Sequence, residues 1–313
     1  MRVIFLGTPA FAALPLRALV AAGHDVVGVV TQPDRPVGRS RTPQAPPVKQ
    51  AAIDLGLLVI QPATLRDEAV VEQLRHLRPD VGVVAAYGEI LRRNVLDIPP
   101  LGYLNVHPSL LPLYRGPTPV AAAILAGDDI TGVSIIKLVR AMDAGPIVAQ
   151  ATVPLARDAR AGALTDELFK IGAQVLVNVL PLYTDGTLQP QAQDDGQATY
   201  CKLLTKDDGR IDWTQPALAI ERAVRAYDPW PGAWTTWQEQ QLKIGTARVD
   251  AHWHGSAEPG TVLEGTTLRV AAGSGALEIE ALQPAGKRML PASDWLRGQR
   301  TIVGQRLGDG EHR

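Results

Sequence analysis

Short apolar runs alternate with helix-compatible segments through the first part of this 313-residue chain. Residues 3–6 and 26–30 are two such runs, and the segment between them, from Phe11 to Ala22, spaces its apolar residues as a helix does. Runs without alternating polar residues are typical of strands that are buried on both faces of a parallel sheet. A strand, a helix and a second strand joined by short turns form a right-handed parallel unit. The sequence therefore predicts an α/β domain with a mostly parallel sheet.

The turn after the first strand argues against a nucleotide cofactor. Gly7-Thr8-Pro9 lacks the G-x-G-x-x-G that lets a backbone approach a pyrophosphate closely, and the chain has no G-x-x-x-x-G-K-[ST] segment. We therefore expect a Rossmann-like, doubly wound domain that does not use a nicotinamide. Cys201 is the only cysteine, which excludes an intrachain disulfide and zinc sites built on cysteine clusters.

Composition and charge are those of an ordinary soluble protein, with 46% hydrophobic and 20% charged residues and a net charge of −1. Any contact with a nucleic acid must therefore come from a local cluster of Lys and Arg. No apolar run reaches the length of a membrane span, and Gly7-Thr8-Pro9 and Arg17 interrupt the N-terminal apolar stretch, which argues against a signal peptide. We expect a cytoplasmic protein without membrane association.

Three polar side chains are predicted to meet at the carboxyl ends of neighbouring strands. Residues 103–106 are a predicted strand, and the spacing of Asn105 and His107 puts both on one face of it. Asp143 lies in a turn that follows another apolar run, residues 132–138. Because ligands bind at the carboxyl ends of strands in open α/β sheets, an amide, an imidazole and a carboxylate can converge there. The alternative is that all three are ordinary hydrogen-bonded or turn residues.

The order of several motifs resembles that of the folate-dependent formyltransferases. The matching blocks are Asn105-x-His107-x-Ser109-Leu110-Leu111-Pro112, then Tyr114-Arg115-Gly116, then Asp143-Ala144-Gly145. Several blocks in order are far more specific than any one of them. The resemblance implies that Asn105 stabilises the oxyanion of an acyl transfer, that His107 acts as acid and base, and that Asp143 orients or activates the imidazole. No metal is required by this chemistry.

Further blocks are similar to those members of the family that formylate initiator methionyl-tRNA. These blocks are residues 31–39, 47–49, 85–88 and 283–288, and the resemblance extends from Arg2 to about Arg306. It implies 10-formyltetrahydrofolate as the formyl donor and initiator methionyl-tRNA as the acceptor, in a protein that we expect to act as a monomer. Two segments are implied to contact the folate, and their residues are Tyr87, Gly88, Ile90 and Leu91 in the first and Ser109, Leu110, Leu111 and Pro112 in the second.

Residues 31–47 are a proline-rich loop in which a continuous helix is excluded. A solvated surface loop is one interpretation of this composition. The family resemblance implies instead an arm that contacts the tRNA acceptor stem, with arginines on phosphates or bases. The candidate tRNA-binding residues are Arg35, Arg39 and Arg41 in this loop, and Lys287 and Arg288 near the other end of the chain.

The second part of the chain differs in character from the first. Residues 189–205 are polar and rich in Gln and Asp, which predicts a linker between a catalytic domain at 1–188 and a C-terminal domain at 206–313. Short β-like segments, including 260–263, and glycine-rich turns predict a small barrel in the C-terminal domain. The resemblance implies that this β-barrel is OB-like and binds tRNA.

Other functions fit part of these observations. A formyltransferase that acts on an amino sugar nucleotide would share Asn105, His107, Asp143 and the donor, but the arginine loop and the second domain favour tRNA. Formylation of free glycinamide ribonucleotide needs no second domain. A noncatalytic tRNA-binding protein would have no use for the three polar residues.

Overall fold

The computed structural model describes residues 1–36, 42–299 and 301–308. Contacts divide the chain into two compact units: Met1–Pro119, Ile130–Pro154 and Thr165–Cys201 form the first, and Val120–Asp129, Leu155–Leu164 and the described part of Lys202–Arg313 form the second. The domain boundaries at 188 and 206 stay a prediction. However, residues 189–201, predicted as linker, belong to the first unit, where Ile147 and Gln191 exchange backbone hydrogen bonds of 2.7 and 2.8 Å.

The first unit is organised around one large sheet. In chain order, its strands are β1 (Arg2–Gly7), β2 (Asp25–Val30), β3 (Arg35–Pro36), β4 (Pro43–Gln44), β5 (Val59–Ile60), β6 (Val81–Ala85), β7 (Tyr103–His107), β8 (Ile130–Lys137) and β9 (Ile147–Pro154). Strands β3 and β4 pair with each other, and the others form a seven-stranded sheet of order β5-β2-β1-β6-β7-β8-β9. The pairs from β5 to β7 are parallel, whereas β8 and β9 are antiparallel to their neighbours. The predicted mostly parallel sheet is confirmed.

Helices cover both faces of this sheet. Up to residue 184 the helices are α1 (Ala13–Ala21), α2 (Pro47–Asp54), α3 (Glu68–His76), α4 (Arg93–Leu96), α5 (Pro119–Ala126) and α6 (Ala161–Thr184). Alternate residues of β1 enter different cores, because Val3 and Phe5 pack with residues of α1, α2 and α6, whereas Ile4 and Leu6 pack with residues of α3 and α4. Burial on both faces explains why the strand is a continuous apolar run. The predicted doubly wound architecture is confirmed.

The strand order reverses next to β1, and this reversal creates a crevice. Strand β2 lies on one side of β1 and β6 on the other, and in open α/β sheets ligands bind at the carboxyl ends of the strands beside such a reversal. The Thr8 hydroxyl, just after β1, donates to the backbone oxygen of Tyr87, just after β6, at 2.8 Å. Asn105 of β7 pairs with Val84 of β6. The candidate catalytic residues on β7 therefore lie one strand away from this switch point.

The second unit has a separate core around an antiparallel sheet. Its remaining elements are α7 (Ala217–Ala226), β10 (Ala233–Trp237), β11 (Gln240–Asp250), β12 (Leu268–Ala271), β13 (Ala276–Pro284), β14 (Leu290–Pro291) and α8 (Ala292–Arg297). The strand order is β10-β11-β13-β12, with β14 paired to β13. The predicted smaller β domain is confirmed, but the strand predicted at 260–263 is wrong. That segment forms only isolated bridges, from Thr261 to Arg306 and from Val262 to Val270. Its backbone hydrogen bonds go to different segments and do not form a continuous ladder with one strand.

Candidate active site

His107 and Asp143 meet at the end of β7. The His107 side chain is buried, and its Nδ1 lies 3.8 Å from Oδ2 of Asp143. On the other side of the ring, Nε2 lies 3.0 Å from the backbone oxygen of Tyr114. Because a carbonyl oxygen only accepts hydrogen bonds, the proton of the neutral ring must be on Nε2. Nδ1 is then the unprotonated nitrogen, and it faces the Asp143 carboxylate.

Burial controls the charge of the imidazole in this arrangement. Removal from water lowers the pKa of His107 below its ordinary value of 6.5, and the nearby Asp143 carboxylate and the Tyr114 carbonyl raise it only in part. The ring is therefore neutral at neutral pH. Any proton that the ring accepts goes to Nδ1, next to the carboxylate that stabilises the resulting positive charge.

Both the side chain and the backbone of Asp143 are held in place. Its Oδ2 accepts a hydrogen bond of 2.8 Å from the backbone N–H of Gly116. Its backbone has a φ of 48°, in the left-handed region that residues other than glycine rarely adopt. The side-chain amide of Gln193 donates to the backbone oxygens of Asp143 and Gly145, at 2.7 Å each. The carboxylate therefore belongs to a turn that is fixed from several directions.

Asn105 provides a neutral donor on the same face of β7 as His107. The side chains of residues two apart on a strand are separated by about 6.5–7 Å along it. Asn105 is partly exposed, and its side-chain amide makes no hydrogen bond to any other residue within 1–36, 42–299 and 301–308. An amide without a protein partner at a strand end can donate to a ligand.

The first predicted folate segment follows β6 and has an unusual backbone. Gly88 has a φ of 93°, and a Cβ atom there would meet nothing within 4 Å. The Glu89 carboxylate accepts from the Thr64 hydroxyl at 2.7 Å, which ties the segment to the neighbouring loop. Tyr87 and Leu91 are buried in the protein core, whereas Ile90 is 74% exposed. The open backbone at Gly88 and the Ile90 side chain are thus the accessible parts of this segment.

The second predicted folate segment follows β7 and is held by Ser134 of β8. The Ser134 hydroxyl donates to the backbone oxygen of Ser109 at 2.6 Å and accepts from the backbone N–H of Leu111 at 3.0 Å. Ser109 and Leu111 are buried, and Leu110 and Pro112 are partly exposed. The segment is therefore rigid, and two of its four side chains remain accessible.

The described parts of the arginine loop, residues 31–36 and 42–47, pair through two short strands, and the base of the loop is anchored. Strands β3 and β4 pair antiparallel, and Arg35 in β3 is exposed. At the base, the Asp34 carboxylate accepts from Lys49 Nζ at 2.7 Å and from Gln61 Nε2 at 2.7 Å. Arg39 and Arg41 lie outside the described residues.

The two candidate tRNA-binding residues of the second unit lie in the turn between β13 and β14. Both Lys287 and Arg288 are exposed. The backbone oxygen of Lys287 accepts a hydrogen bond of 2.7 Å from the Gln283 side chain. The turn thus presents two cationic side chains from an ordered backbone.

Two residues of the site were missed by the sequence analysis. Arg115 appeared in the Tyr114-Arg115-Gly116 block without a role, yet it is among the largest fully buried side chains. Gln193 was included in the predicted linker, and it bonds both Arg115 and the Asp143 turn. The arginine within an apolar block was an available signal for the first. No sequence signal identified Gln193, because it is separated from Asp143 by 50 residues.

The described part of the chain shows neither a grouping of three or more His, Cys, Asp or Glu side chains suited to hold a metal ion nor a helix long and apolar enough to cross a membrane.

Comparisons with known proteins identify both parts of the chain. The family model described as formyl transferase matches residues 1–180, and the model described as formyl transferase, C-terminal domain, matches residues 203–300. Solved structures support the fold at low sequence identity. HypX from Aquifex aeolicus in complex with tetrahydrofolic acid has a TM-score of 0.65 at 18% identity, covering 100% of this chain and 50% of that one. WlaRD, a sugar 3N-formyl transferase, has a TM-score of 0.67 at 15% identity, covering 92% and 99%.

Two curated relatives are similar over nearly their full length. The methionyl-tRNA formyltransferase of Roseiflexus castenholzii is 62% identical over 310 residues, which cover 98% of this chain and 99% of that protein. The methionyl-tRNA formyltransferase of Chloroflexus aurantiacus is 61% identical over 302 residues, covering 95% and 97%. At this identity and coverage, the chain belongs to the methionyl-tRNA formyltransferase family.

Proposed function

We propose that this protein transfers the formyl group of 10-formyltetrahydrofolate to the free amino group of initiator methionyl-tRNA. The observation that carries the proposal is the buried His107 ring with the partly buried Asp143 carboxylate 3.8 Å away, in a chain that is 62% identical to a methionyl-tRNA formyltransferase. The reaction passes a formyl carbon from one nitrogen to another. It requires a donor for the formyl oxygen and a group that accepts and returns a proton.

The folate is proposed to bind along the two segments that follow β6 and β7. The fit rests on the open backbone at Gly88, the exposed Ile90 side chain, and the rigid segment from Ser109 to Pro112. Apolar walls with a few well-placed backbone groups suit a flat, partly polar ring system. When bound, 10-formyltetrahydrofolate supplies the formyl group, and no metal is needed for its transfer.

Asn105 is proposed to stabilise the negative charge that develops on the formyl oxygen. A neutral amide fixed on a strand needs no reorganisation as the charge appears, which makes such donors effective. The absence of a hydrogen-bond partner for this amide among the described side chains supports the role, because a donor already engaged in the protein would have to be released first.

His107 is proposed to exchange the proton, with Asp143 as its electrostatic partner. Nδ1 of the neutral ring accepts the proton lost by the attacking amine, and the Asp143 carboxylate stabilises the imidazolium that results. The same proton can then be returned to the departing nitrogen. Since Oδ2 of Asp143 already accepts a hydrogen bond from the Gly116 N–H, Asp143 is better suited to orient and stabilise the ring than to take the proton itself.

The tRNA is proposed to contact the arginine loop and the turn at Lys287 and Arg288. Clustered cations that reach phosphate oxygens account for binding by a protein whose net charge is only −1. Under this proposal the catalytic domain is 1–188 and the tRNA-binding domain is 206–313, and the protein works as a cytoplasmic monomer.

A formylation assay tests the proposal. Purified protein and 10-formyltetrahydrofolate are incubated either with initiator methionyl-tRNA or with an amino sugar nucleotide, and product is measured for each. We expect formylation of the methionyl-tRNA only. Product formed only on the amino sugar nucleotide would show that the acceptor is this nucleotide and not methionyl-tRNA.

The role of Asn105 is tested by the Asn105→Ala variant in the same assay. We expect kcat to fall roughly 100-fold or more, as is typical when one oxyanion donor is removed. Asn178→Ala, at an exposed position of α6, is the matched control and should keep full activity. Near-normal turnover of Asn105→Ala would refute the assignment.

A further inference from the structure

The side chain of Gln193 joins a buried arginine to the turn that carries Asp143. Its Oε1 accepts from Nε of Arg115 at 3.0 Å and from Nη2 of Arg115 at 2.8 Å. Its Nε2 donates to the backbone oxygens of Asp143 and Gly145, at 2.7 Å each. One amide therefore connects segments that lie far apart in the sequence.

These contacts use the full hydrogen-bonding capacity of the amide. A glutamine side chain has two acceptor positions on oxygen and two donor hydrogens on nitrogen, and each has a partner here. The orientation of the amide is unambiguous, because arginine only donates and backbone carbonyls only accept. Neither a carboxylate nor an apolar side chain of the same size can make this set of bonds.

Arg115 is a rigid support for this connection. Its side chain is 2% exposed, and it also bonds the Asp195 carboxylate at 2.6 Å and the Tyr200 hydroxyl at 3.3 Å. Its backbone N–H donates to Thr199 and its backbone oxygen accepts from Cys201, at 2.9 Å each. The segment 193–201 thus fixes Arg115 from its side chain and from its backbone, and all of these residues belong to the first unit.

Apart from the two bonds from Gln193, the hydrogen bond within the Asp143 turn is a long one, 3.4 Å from the Ala144 N–H to the Ala141 oxygen. The preceding residue, Met142, is 57% exposed, and Asp143 itself has the left-handed φ of 48°. Residues other than glycine adopt this conformation only where their surroundings enforce it. The separation of 3.8 Å between the carboxylate and the His107 ring depends on that conformation.

We propose that Gln193 is a positioning residue, which holds the Asp143 turn against Arg115 and so keeps the Asp143 carboxylate beside His107. Gln193 acts through the turn and touches no reacting atom. This inference rests on the proposed formyl transfer, because it assigns a residue to the same site.

Gln193→Glu and Gln193→Met test the proposal. The first variant keeps acceptors for Arg115 but replaces both donors to the turn, and the second removes both sets of bonds without adding charge. A displacement of the carboxylate of about 1 Å can cost on the order of 100-fold in rate. We expect kcat to fall by about 10- to 100-fold in both variants, with the KM for each substrate within about twofold of wild type.

Gln189→Glu is the matched control. Gln189 is exposed and lies four residues before Gln193. Its amide also donates to a backbone oxygen, that of Gly186 at 2.8 Å, away from the Asp143 turn. It should keep wild-type kcat. Turnover of both Gln193 variants within about twofold of this control would overturn the proposal. A rise in KM with kcat retained, or loss of folding in both variants, would overturn it as well, since Gln193 would then serve binding or folding.

A titration of the His107 ring by NMR supplies a readout that needs no substrate. The groups facing this ring are the Asp143 carboxylate and the Tyr114 backbone oxygen, and the Cys201 thiol lies 3.8 Å from the latter. In Gln193→Met the carboxylate is released, so we expect the pKa of His107 to fall below its wild-type value. An unchanged pKa would overturn the positioning role. If wild-type protein fails to formylate methionyl-tRNA while this pKa shift is observed, the proposed function fails and the positioning role stands.

Discussion

Gly116 is the residue at which a single added methyl group should disturb both stability and catalysis. Its φ is 115°, and a Cβ atom built there would lie 2.4 Å from the backbone oxygen of Cys201. Its N–H is the donor to Oδ2 of Asp143 at 2.8 Å. Gly116→Ala therefore forces either the Cys201 backbone or the Gly116 backbone to move, and a movement of the Gly116 backbone shifts the hydrogen-bond donor of the Asp143 carboxylate.

The expected loss of stability follows from these distances. A non-glycine residue at such a φ costs about 1–2 kcal/mol. A forced contact with backbone that cannot rotate away costs about 1–3 kcal/mol more. Alanine also restricts the unfolded chain, and this effect stabilises the folded protein by about 0.4–1 kcal/mol. We therefore expect the free energy of unfolding to fall by about 3 kcal/mol in Gly116→Ala.

Gly186→Ala separates the backbone cost from the steric cost. Gly186 belongs to the same unit and has a φ of 79°, but a Cβ atom there meets nothing within 4 Å. This control should lose only about 1 kcal/mol, since the backbone cost is partly offset by the unfolded-state gain. The two free energies are measured by denaturant unfolding, and kcat is measured in the formylation assay. We expect kcat to fall at least about 10-fold in Gly116→Ala and to stay unchanged in Gly186→Ala.

Equal losses of stability in the two glycine variants would refute the steric argument, because only Gly116 has a close backbone neighbour. Wild-type turnover in a destabilised but folded Gly116→Ala would refute the link between Gly116 and Asp143. The Cys201→Ala change should not rescue Gly116→Ala, since the closest atom is the backbone oxygen and not the thiol.

Two further predictions concern charge. Because burial lowers the pKa of His107 below 6.5, the unfolded chain binds a proton more readily than the folded chain does, so stability falls as the pH is lowered through about 6.5 towards the lowered value in the folded protein. His107→Gln should lose less stability than wild type between about pH 7 and 5 in denaturant unfolding, and identical pH dependence would contradict the assignment of this buried neutral ring. Replacing Arg39 and Arg41 by Ala together should weaken tRNA binding and flatten its dependence on salt, and an unchanged salt slope would show that these arginines make no phosphate contacts.

Most of the fold could be predicted because its strands carry local signals. The runs 3–6 and 26–30 could be recognised without knowing their partners, since burial on both faces leaves a continuous apolar stretch. The shared face of Asn105 and His107 could also be predicted, because the period of a strand places alternate residues on one face. The strand predicted at 260–263 was wrong because the composition of this segment suits a strand, whereas the segment forms only isolated bridges.

The contribution of residues 189–201 to the site could not be predicted. A polar stretch rich in Gln and Asp has the composition of a linker, and only the folded chain shows that Gln193 and Asp195 bond the buried Arg115. The approach of Asp143 to His107 was predicted only as a convergence on one edge of the sheet. The distance between the Asp143 carboxylate and the His107 ring depends on the left-handed turn and on the Gly116 N–H, and neither can be recognised from the local sequence.

Local apolar periodicity and the order of the motifs thus determined the class of fold, the family and the candidate catalytic residues. Tertiary structure alone decided which nitrogen of His107 carries the proton, how Asp143 is held, and which distant residue holds it. The physical reason is that periodicity reports burial, which is local along the chain. Hydrogen bonds between partly buried polar groups join residues as far apart as 50 and 78 positions, and only folding brings these together.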